Sequence, residues 1–335
     1  MTTAPHIISV RNVNHALHEA TWWLRSAGER ANSRNGPVVR APGPVITVYQ
    51  RPQERVLFNK HRDANPFFHL MEALWMLAGR NDVDFPAYYV QRMRDYSDNG
   101  LLLHGAYGFR WRRAFMDSDE LEPIDQLSYL ADHLRAQPDS RRAVLAMWSP
   151  ELDIPVIEQT RDLPCNTHVY FQVHGGALDM TVLCRSNDMV WGAYGANAVH
   201  FSVLLEYMAA QIGCAVGSYT QFSNDFHLYT DTYPLKHRMF FEQEEDWRYE
   251  QEQVKPFPLV QDAKTWDEDL YRFMDGHATR LEQPFFTRVA QPMKDAHHAH
   301  KEGNRALALE LAHAIAATDW RLACIEWLRR RGDGQ

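Results

Sequence analysis

The sequence predicts an α+β fold in a single domain spanning residues 1–335, and three observations carry that reading. Residues 163–188, LPCNTHVYFQVHGGALDMTVLCRSND, hold two alternating apolar runs on either side of Gly175-Gly176, the pattern of a β-hairpin. Segments 14–28, 65–79, 123–136 and the run HFSVLLEYMAAQIG place apolar side chains at helical spacing. From about residue 256 onward the chain reads as mainly helical. No internal repeat, phosphate-loop motif, GxGxxG after a strand, low-complexity tract or clean linker divides the sequence.

Bulk composition narrows the function. Hydrophobic residues make up 45% of the 335, enough for a large core. A net charge of -8 gives no general attraction to nucleic acid or membrane, so any anion site has to be a local arginine cluster. Cys165, Cys184, Cys214 and Cys324 show neither CxxC spacing nor the density of a disulfide scaffold, which fits a reducing cytoplasm. No apolar run reaches about 18 residues. The start MTTAPHIISVRNV lacks the charge and apolar block of a secretory signal, so the chain reads as soluble and unexported.

Taken in order, a helix over 14–28 opens the chain, with Gly28 as its stop. The turn Ser33-Arg34-Asn35-Gly36 places Arg34 on a loop, as an anion ligand or as a solvated arginine, and a strand follows over 45–49. NPFFHLMEALWMLAG at 65–79 is apolar on nearly every face, so its helix is buried and Glu72 is anomalous. A carboxylate among Phe68, Met71, Trp75 and Met76 needs a partner, a raised pKa or a function. Residues 82–113 read as loop-rich, with HGAYGFRWR forming a compact turn from which Tyr107 can reach a ligand.

A helix over 123–136 ends before Pro138. Ser140-Arg141-Arg142 then leads into a strand over 143–148. Adjacent side chains on extended backbone point opposite ways, so Arg141 and Arg142 are ill-suited to one surface site, and one of them is a candidate to reach a neighbouring subunit. After the hairpin, Gly192 and Gly195 permit close backbone approach, and Asn197 stands where a helix N-cap belongs. VGSYTQFSNDFHLYTDTY alternates as a strand, projecting His227 and Tyr229 from one face, before a helix starting near Thr230. DAHHAH at 295–300 invites a metal reading, but a solvated helical face explains it, and no metal is assigned.

The chemistry concentrates at the hairpin's open end. A straight antiparallel register from Gly175-Gly176 sets Cys165 opposite Ser186 and beside Arg185, where a cation lowers a thiol's pKa. Arg34, Arg185, Ser186 and Arg141 or Arg142 are candidate phosphate ligands around it. A thiolate beside an anion site points to covalent catalysis on a phosphorylated small molecule.

Most of the chain resembles the thymidylate synthase superfamily, which includes the pyrimidine nucleotide hydroxymethylases. The resemblance rests on SRNG, EALWMLAGRNDV, HGAYGFRWR, SRRAVLAMW, PCNT, RSND, NAVHFSVLLEYMAAQIG and NDFHLY, in that order and spacing. It implies a mixed sheet packed by helices, with one sheet face at a homodimer interface. Cys165 would add to C6 of a pyrimidine nucleoside 5′-monophosphate, and C5 would take the one-carbon unit of 5,10-methylenetetrahydrofolate. Glu72, through an ordered water, and Tyr107 would manage protons. Arg34, Arg185 and Ser186 would hold the phosphate, joined by Arg141 and Arg142 from the other subunit. His227 and Tyr229 would bind the sugar, Asn197 the pyrimidine edge, and Asp188 with Gly192 the folate. No membrane or nucleic acid partner is implied.

Departures from the synthase pattern bear on the reaction. Asn166 stands where Pro-Cys-His has histidine, and WGAYGAN replaces LGLPFN with one inserted residue, so that ungapped counting from Asp188 reaches Ala196. The tail RRRGDGQ lacks the apolar terminus that shields hydride transfer from water. A less sealed site favours water at the C5 methylene, hence hydroxymethyl over methyl. RSND also resembles the phage hydroxymethylases. A carboxamide at 197 matches uracil or, flipped, cytosine. The products implied are therefore 5-hydroxymethyl-dCMP or 5-hydroxymethyl-dUMP, with the sugar open. C5 methylation and a non-catalytic nucleotide- or RNA-binding homologue are the alternatives.

Overall fold

The hairpin is built into a six-stranded sheet, one strand in from its edge. The computed structural model describes residues 4–119, 121–232, 245–277 and 280–332. Strands β6 (Asn166–His174) and β7 (Ala177–Cys184) pair antiparallel across Gly175 and Gly176. Their φ values of 56° and 81° suit glycine at both central positions of a tight hairpin turn. The sheet runs β1 (His6–Val10), β4 (Val45–Tyr49), β9 (Ala215–Ser223), β7, β6 and β5 (Val144–Ala146). It is mixed, because β1 lies parallel to β4 and β7 parallel to β9 while the other pairs are antiparallel.

A smaller sheet orders β2 (Glu29–Ser33), β3 (Gly36–Arg40), β10 (Phe226–Tyr229) and β8 (Asn187–Asp188). The single strand predicted through VGSYTQFSNDFHLY is therefore two strands. The break at Asn224-Asp225 sends the chain from the large sheet to the small one, and this carries His227 beside Asp188.

Two helices fill the centre. In α2 (Pro66–Leu77) every residue is buried, as the all-round apolar pattern predicts. Asn65 caps it by accepting from the Phe68 N–H at 3.1 Å, Pro66 occupies its first turn, and Gly79 leaves it at φ 68°. It packs against α7 (Asn197–Ile212), which also contacts β7 and β9. The opening helix α1 (Val13–Ala27) covers β1.

Residues 82–113 carry more helix than the loop-rich expectation: α3 (Asp84–Tyr89), a 3-10 turn (Gln91–Tyr96) and α4 (Tyr107–Arg112). These helices are too short to show a periodicity. The helix over 123–136 is α5 (Gln126–Ala136), N-capped by Asp125, and the single turn α6 (Pro150–Asp153) follows β5. The C-terminal region supplies α8 (Ala263–Met274), α9 (Gln291–Lys301), α10 (Arg305–His313) and α11 (Thr318–Arg330), of which α9 and α11 reach α2. The helix expected from near Thr230 falls mostly outside the described residues, as do the last three residues of the tail. No described helix is long and apolar enough to cross a membrane.

One face of the six-stranded sheet is left uncovered by the described residues. In-register rows cross all six strands on it: Ile7, Ile46, Phe222, Leu183, His168, Ala146, and beside them Ser9, Val48, Thr220, Thr181, Tyr170, Val144. Neither row contains a carboxylate, lysine or arginine, while Ile7 is 60% and Tyr170 42% exposed.

A buried ion pair joins the core to the C-terminal region. Arg55 and Glu206 meet by Nη2 and Oε2, both nearly inaccessible, and Glu206 Oε1 accepts the Leu259 N–H at 2.9 Å. Removing one partner strands the other charge in the core. Arg55→Met is therefore expected to lower the unfolding free energy by about 3–5 kcal/mol in urea melts, and adding Glu206→Leu to recover a large part of it.

Candidate active site

The thiol's position departs by one residue from the straight hairpin register. Pairing follows that register from the turn to His168 and Leu183, then shifts, so that Asn166 lies opposite Cys184. Thr167 is the extra residue of a β-bulge. Cys165 consequently faces Arg185 and not Ser186, and its carbonyl accepts the Arg185 N–H at 2.8 Å. The Arg185 guanidinium donates to Pro164 O at 3.0 Å and Leu163 O at 3.2 Å, and lies 3.8 Å from Cys165 Sγ. It braces the loop that holds the thiol.

The expected lowering of the thiol's pKa does not hold in the free protein. Burial pushes the Cys165 thiol above its ordinary value; Arg185 pulls it back, Asp162 pushes it further up, and Arg34 pulls down again. Desolvation wins because the guanidinium is exposed, where water screens it.

Cys165 opens into a cavity of about 260 Å³. Glu72, Tyr107, Ser186, Asp188, Gly192 and Asn197 line it with the thiol, between apolar walls that include Trp75, Met76, Met93 and Trp191. Five separate parts of the chain converge there. An outer recess of about 650 Å³ shares Tyr96, Asp188 and Trp191 with it, and carries Arg34, Arg92, Arg161 and Tyr229 interspersed with Asp95 and Glu158.

Each inner residue has a local reason for its place. Glu72 is held within α2, and His200 from α7 approaches it with Nε2 2.9 Å from Oε2. The pair is within ionic reach without hydrogen-bond alignment. Tyr107 begins α4, so the predicted turn is a helix entrance. Gly108 lets α4 press on α2, since a Cβ there would sit 2.0 Å from Met76 O. The Tyr107 hydroxyl accepts the Asn166 N–H at 3.2 Å, and burial holds the phenol well above its usual range.

Asn197 is not the cap its position predicts. Residues Met189–Ala196 form a π-helical stretch, which takes up one more residue per turn than an α-helix and so accommodates the insertion in WGAYGAN. Ala196 offers the cavity only a methyl group, whereas the Asn197 carboxamide lines it. That carboxamide accepts from Asn166 Nδ2 at 3.3 Å and donates to Asn187 Oδ1 at 3.1 Å; Asn187 Nδ2 in turn donates to Ser223 Oγ at 2.9 Å. All four residues are buried, and Asn166 stands behind the cavity wall. Asp188 accepts the Val190 and Trp191 N–H groups at 3.3 and 2.9 Å, and burial pushes its carboxyl upward.

The remaining candidates are more dispersed. Arg34 sits in the β2–β3 turn beside the outer recess. Tyr229 lines that recess, while His227 lines neither: its Nδ1 lies 2.8 Å from Asp225 Oδ1 and its ring 5.1 Å edge-on to Tyr229. Arg141 and Arg142 are exposed before β5 and line neither recess. Among the cavity and network residues not singled out from the sequence are Asp162, three positions before the thiol, which accepts the Gly105 N–H at 2.8 Å; His200, one helical turn past Asn197; Asn187, the unusual residue of RSND; and Ser223. The i,i+3 spacing of Asn197 and His200 is a signal for one of them. Of DAHHAH, His297 packs among Tyr89, Phe67 and Trp327. Among the described residues no group of three His, Cys, Asp or Glu is placed to hold a metal ion.

Residues 55–255 match the family model for thymidylate synthase. The chain is 47% identical over 339 residues to the deoxyuridylate hydroxymethyltransferase of Pseudomonas phage M6, covering 97% of this chain and 94% of that protein. It is 39% identical over 204 residues to the deoxyuridylate hydroxymethyltransferase of Bacillus phage SP01, covering 60% of this chain and 53% of that protein. A putative thymidylate synthase of Methanosarcina barkeri is 28% identical over 225 residues, covering 67% of this chain and 89% of that one.

The electrostatics of the thiol are open to a direct check. Iodoacetamide alkylation of Cys165, followed on its own peptide by mass spectrometry, is expected to have a pH midpoint above the ordinary thiol value. At about pH 8, Asp162→Asn removes a neighbouring negative charge and speeds alkylation, while Arg185→Gln slows it. A midpoint at or below the ordinary value contradicts burial as the dominant cause.

Proposed function

The chain belongs to the thymidylate synthase family, and we propose that it is a folate-dependent hydroxymethyltransferase converting dUMP to 5-hydroxymethyl-dUMP. The observation that carries this reading is the single cavity in which Cys165, Glu72 and Asn197 meet. The family resemblance and the names of the two phage relatives support the reaction, and those names favour uracil on deoxyribose. Four free cysteines among the described residues fit a thiol enzyme of the cytoplasm.

The residues divide the work as follows. Cys165 Sγ bonds to C6 and loses its proton, which places an electron pair at C5. 5,10-Methylenetetrahydrofolate supplies a one-carbon unit at the oxidation level of formaldehyde; the indoles of Trp75 and Trp191, which line the cavity together with Asp188, suit its pterin ring. The C5 electron pair bonds to that one-carbon unit; Glu72, backed by His200, takes the proton that then leaves C5, tetrahydrofolate departs with the electrons of its nitrogen–carbon bond, and Glu72 orients water toward the exocyclic methylene so formed. When the water oxygen bonds to that carbon, the Cys165–C6 bond breaks and the thiol is restored. Tyr107 holds the backbone of Asn166 next to the thiol. Arg34, Arg185 and Ser186 take the phosphate, and His227 and Tyr229 the sugar.

Arg141 and Arg142 act on the partner's phosphate in a homodimer built on the uncovered sheet face. Two in-register rows free of acidic and strongly basic side chains support an isologous interface there, and both arginines stand at the start of its edge strand.

Tritium release from 5-tritiated dUMP with methylenetetrahydrofolate, and a product heavier by one hydroxymethyl group, are the expected outcomes. Dihydrofolate formation with a methylated product would instead make it a methylase. Cys165→Ala abolishes release, and Glu72→Gln slows it about 10²–10⁴-fold. Co-refolding equal amounts of inactive Cys165→Ala and Arg142→Ala chains should restore about a quarter of wild-type activity, because each mixed dimer regains one complete site. No recovery from the mixture contradicts the shared site.

A further inference from the structure

We infer that Asn187, Ser223 and Gly192 are positioning residues that hold the Asn197 carboxamide in one orientation, so that the protein binds uracil and rejects cytosine. This rests on the nucleotide reading of the preceding subsection and deepens it. Uracil offers an acceptor at O4 beside a donor at N3, and cytosine offers the reverse. A carboxamide free to turn over satisfies either base, so discrimination needs a fixed amide.

Asn197 is held at both ends. One N–H of Nδ2 goes to Asn187 Oδ1 at 3.1 Å, and one lone pair of Oδ1 receives Asn166 Nδ2 at 3.3 Å. One N–H and one lone pair remain for the cavity that Asn197 lines. Turning this amide alone would set oxygen against the Asn187 oxygen and N–H against the Asn166 N–H, in a site where all three residues are buried. The remaining escape is a concerted flip of all three amides.

Ser223 does not prevent that flip, since a hydroxyl donates or accepts equally well. Gly192 does. A Cβ at Gly192 would sit 2.6 Å from Asn187 Oδ1, so the oxygen rests against the α-hydrogens of a residue that has no side chain. An oxygen fits there and gains a weak C–H···O contact; an NH2 group would press its own hydrogens on them. Ser223 Oγ accepts from Asn187 Nδ2 at 2.9 Å and so tethers the other end of the Asn187 amide. The polarity set at Gly192 passes through Asn187 to Asn197.

The test measures dUMP and dCMP binding by calorimetry without folate, beside kcat and KM for tritium release from both nucleotides. Wild type should prefer dUMP. Asn187→Leu should lower that preference about tenfold, mainly through KM and Kd, and Ser223→Ala should lower it less. Asn187→Asp keeps an acceptor for Asn197 and a partner for Ser223, and should retain the preference. Wild-type selectivity in both Asn187→Leu and Ser223→Ala overturns the lock, as does a wild type that prefers dCMP. If Asn187→Leu fails to fold, Ser223→Ala carries the decision. Binding that follows these expectations without any tritium release would sink the hydroxymethyltransferase reading and leave the lock standing.

Discussion

The burial of Glu72 is the constraint around which the site is built. A carboxylate on a helix with no exposed face costs several kcal/mol unless something answers it. The answer comes from the other central helix, where His200 stands across from it. Since α7 begins at Asn197, the same helix delivers the imidazole that faces Glu72 and a hydrogen-bonding carboxamide one turn apart. Gly108 then allows α4 to lie directly on α2, and Tyr107 joins the cavity from a third direction. The packing that makes the core rigid also fixes the geometry of the polar groups within it.

The thiol obeys a different balance. Arg185 is within reach of Cys165, yet its hydrogen bonds go to the carbonyls of Leu163 and Pro164. Its first effect is mechanical, to hold the loop, and its electrostatic effect is smaller than the cost of burying charge at sulfur. A thiol kept protonated at rest is poorly nucleophilic toward stray electrophiles.

Much of this was legible in the sequence because it is local. Gly175-Gly176 marks the hairpin, all-round hydrophobicity marks α2, and a lone glutamate within such a helix declares itself by contrast. What stayed hidden depends on one-residue geometry or on distant contacts. Alternation cannot reveal Thr167 as an extra residue, so the register was wrong by one where the chemistry lies. Helix-start statistics favoured a cap at Asn197 because they take no account of a π-helical run before it. Asp162 and His200 become visible only when α4, the hairpin and α7 are brought together. The paired arginines at 141 and 142 are explained by neither recess of this chain, which is why a partner subunit enters the functional reading.

Three departures from the synthase pattern that look independent along the chain turn out to be one physical unit. Asn166 follows the nucleophile, Asn187 lies in RSND, and the insertion falls between Asp188 and Asn197. In space the first two are the hydrogen-bond neighbours of the Asn197 carboxamide, and the third is the π-helical stretch that brings it to them. Changing any one alone would leave a buried amide with an unmatched group, at a cost of about 1–3 kcal/mol. Their joint presence is therefore coherent as one hydrogen-bonded unit around the Asn197 carboxamide.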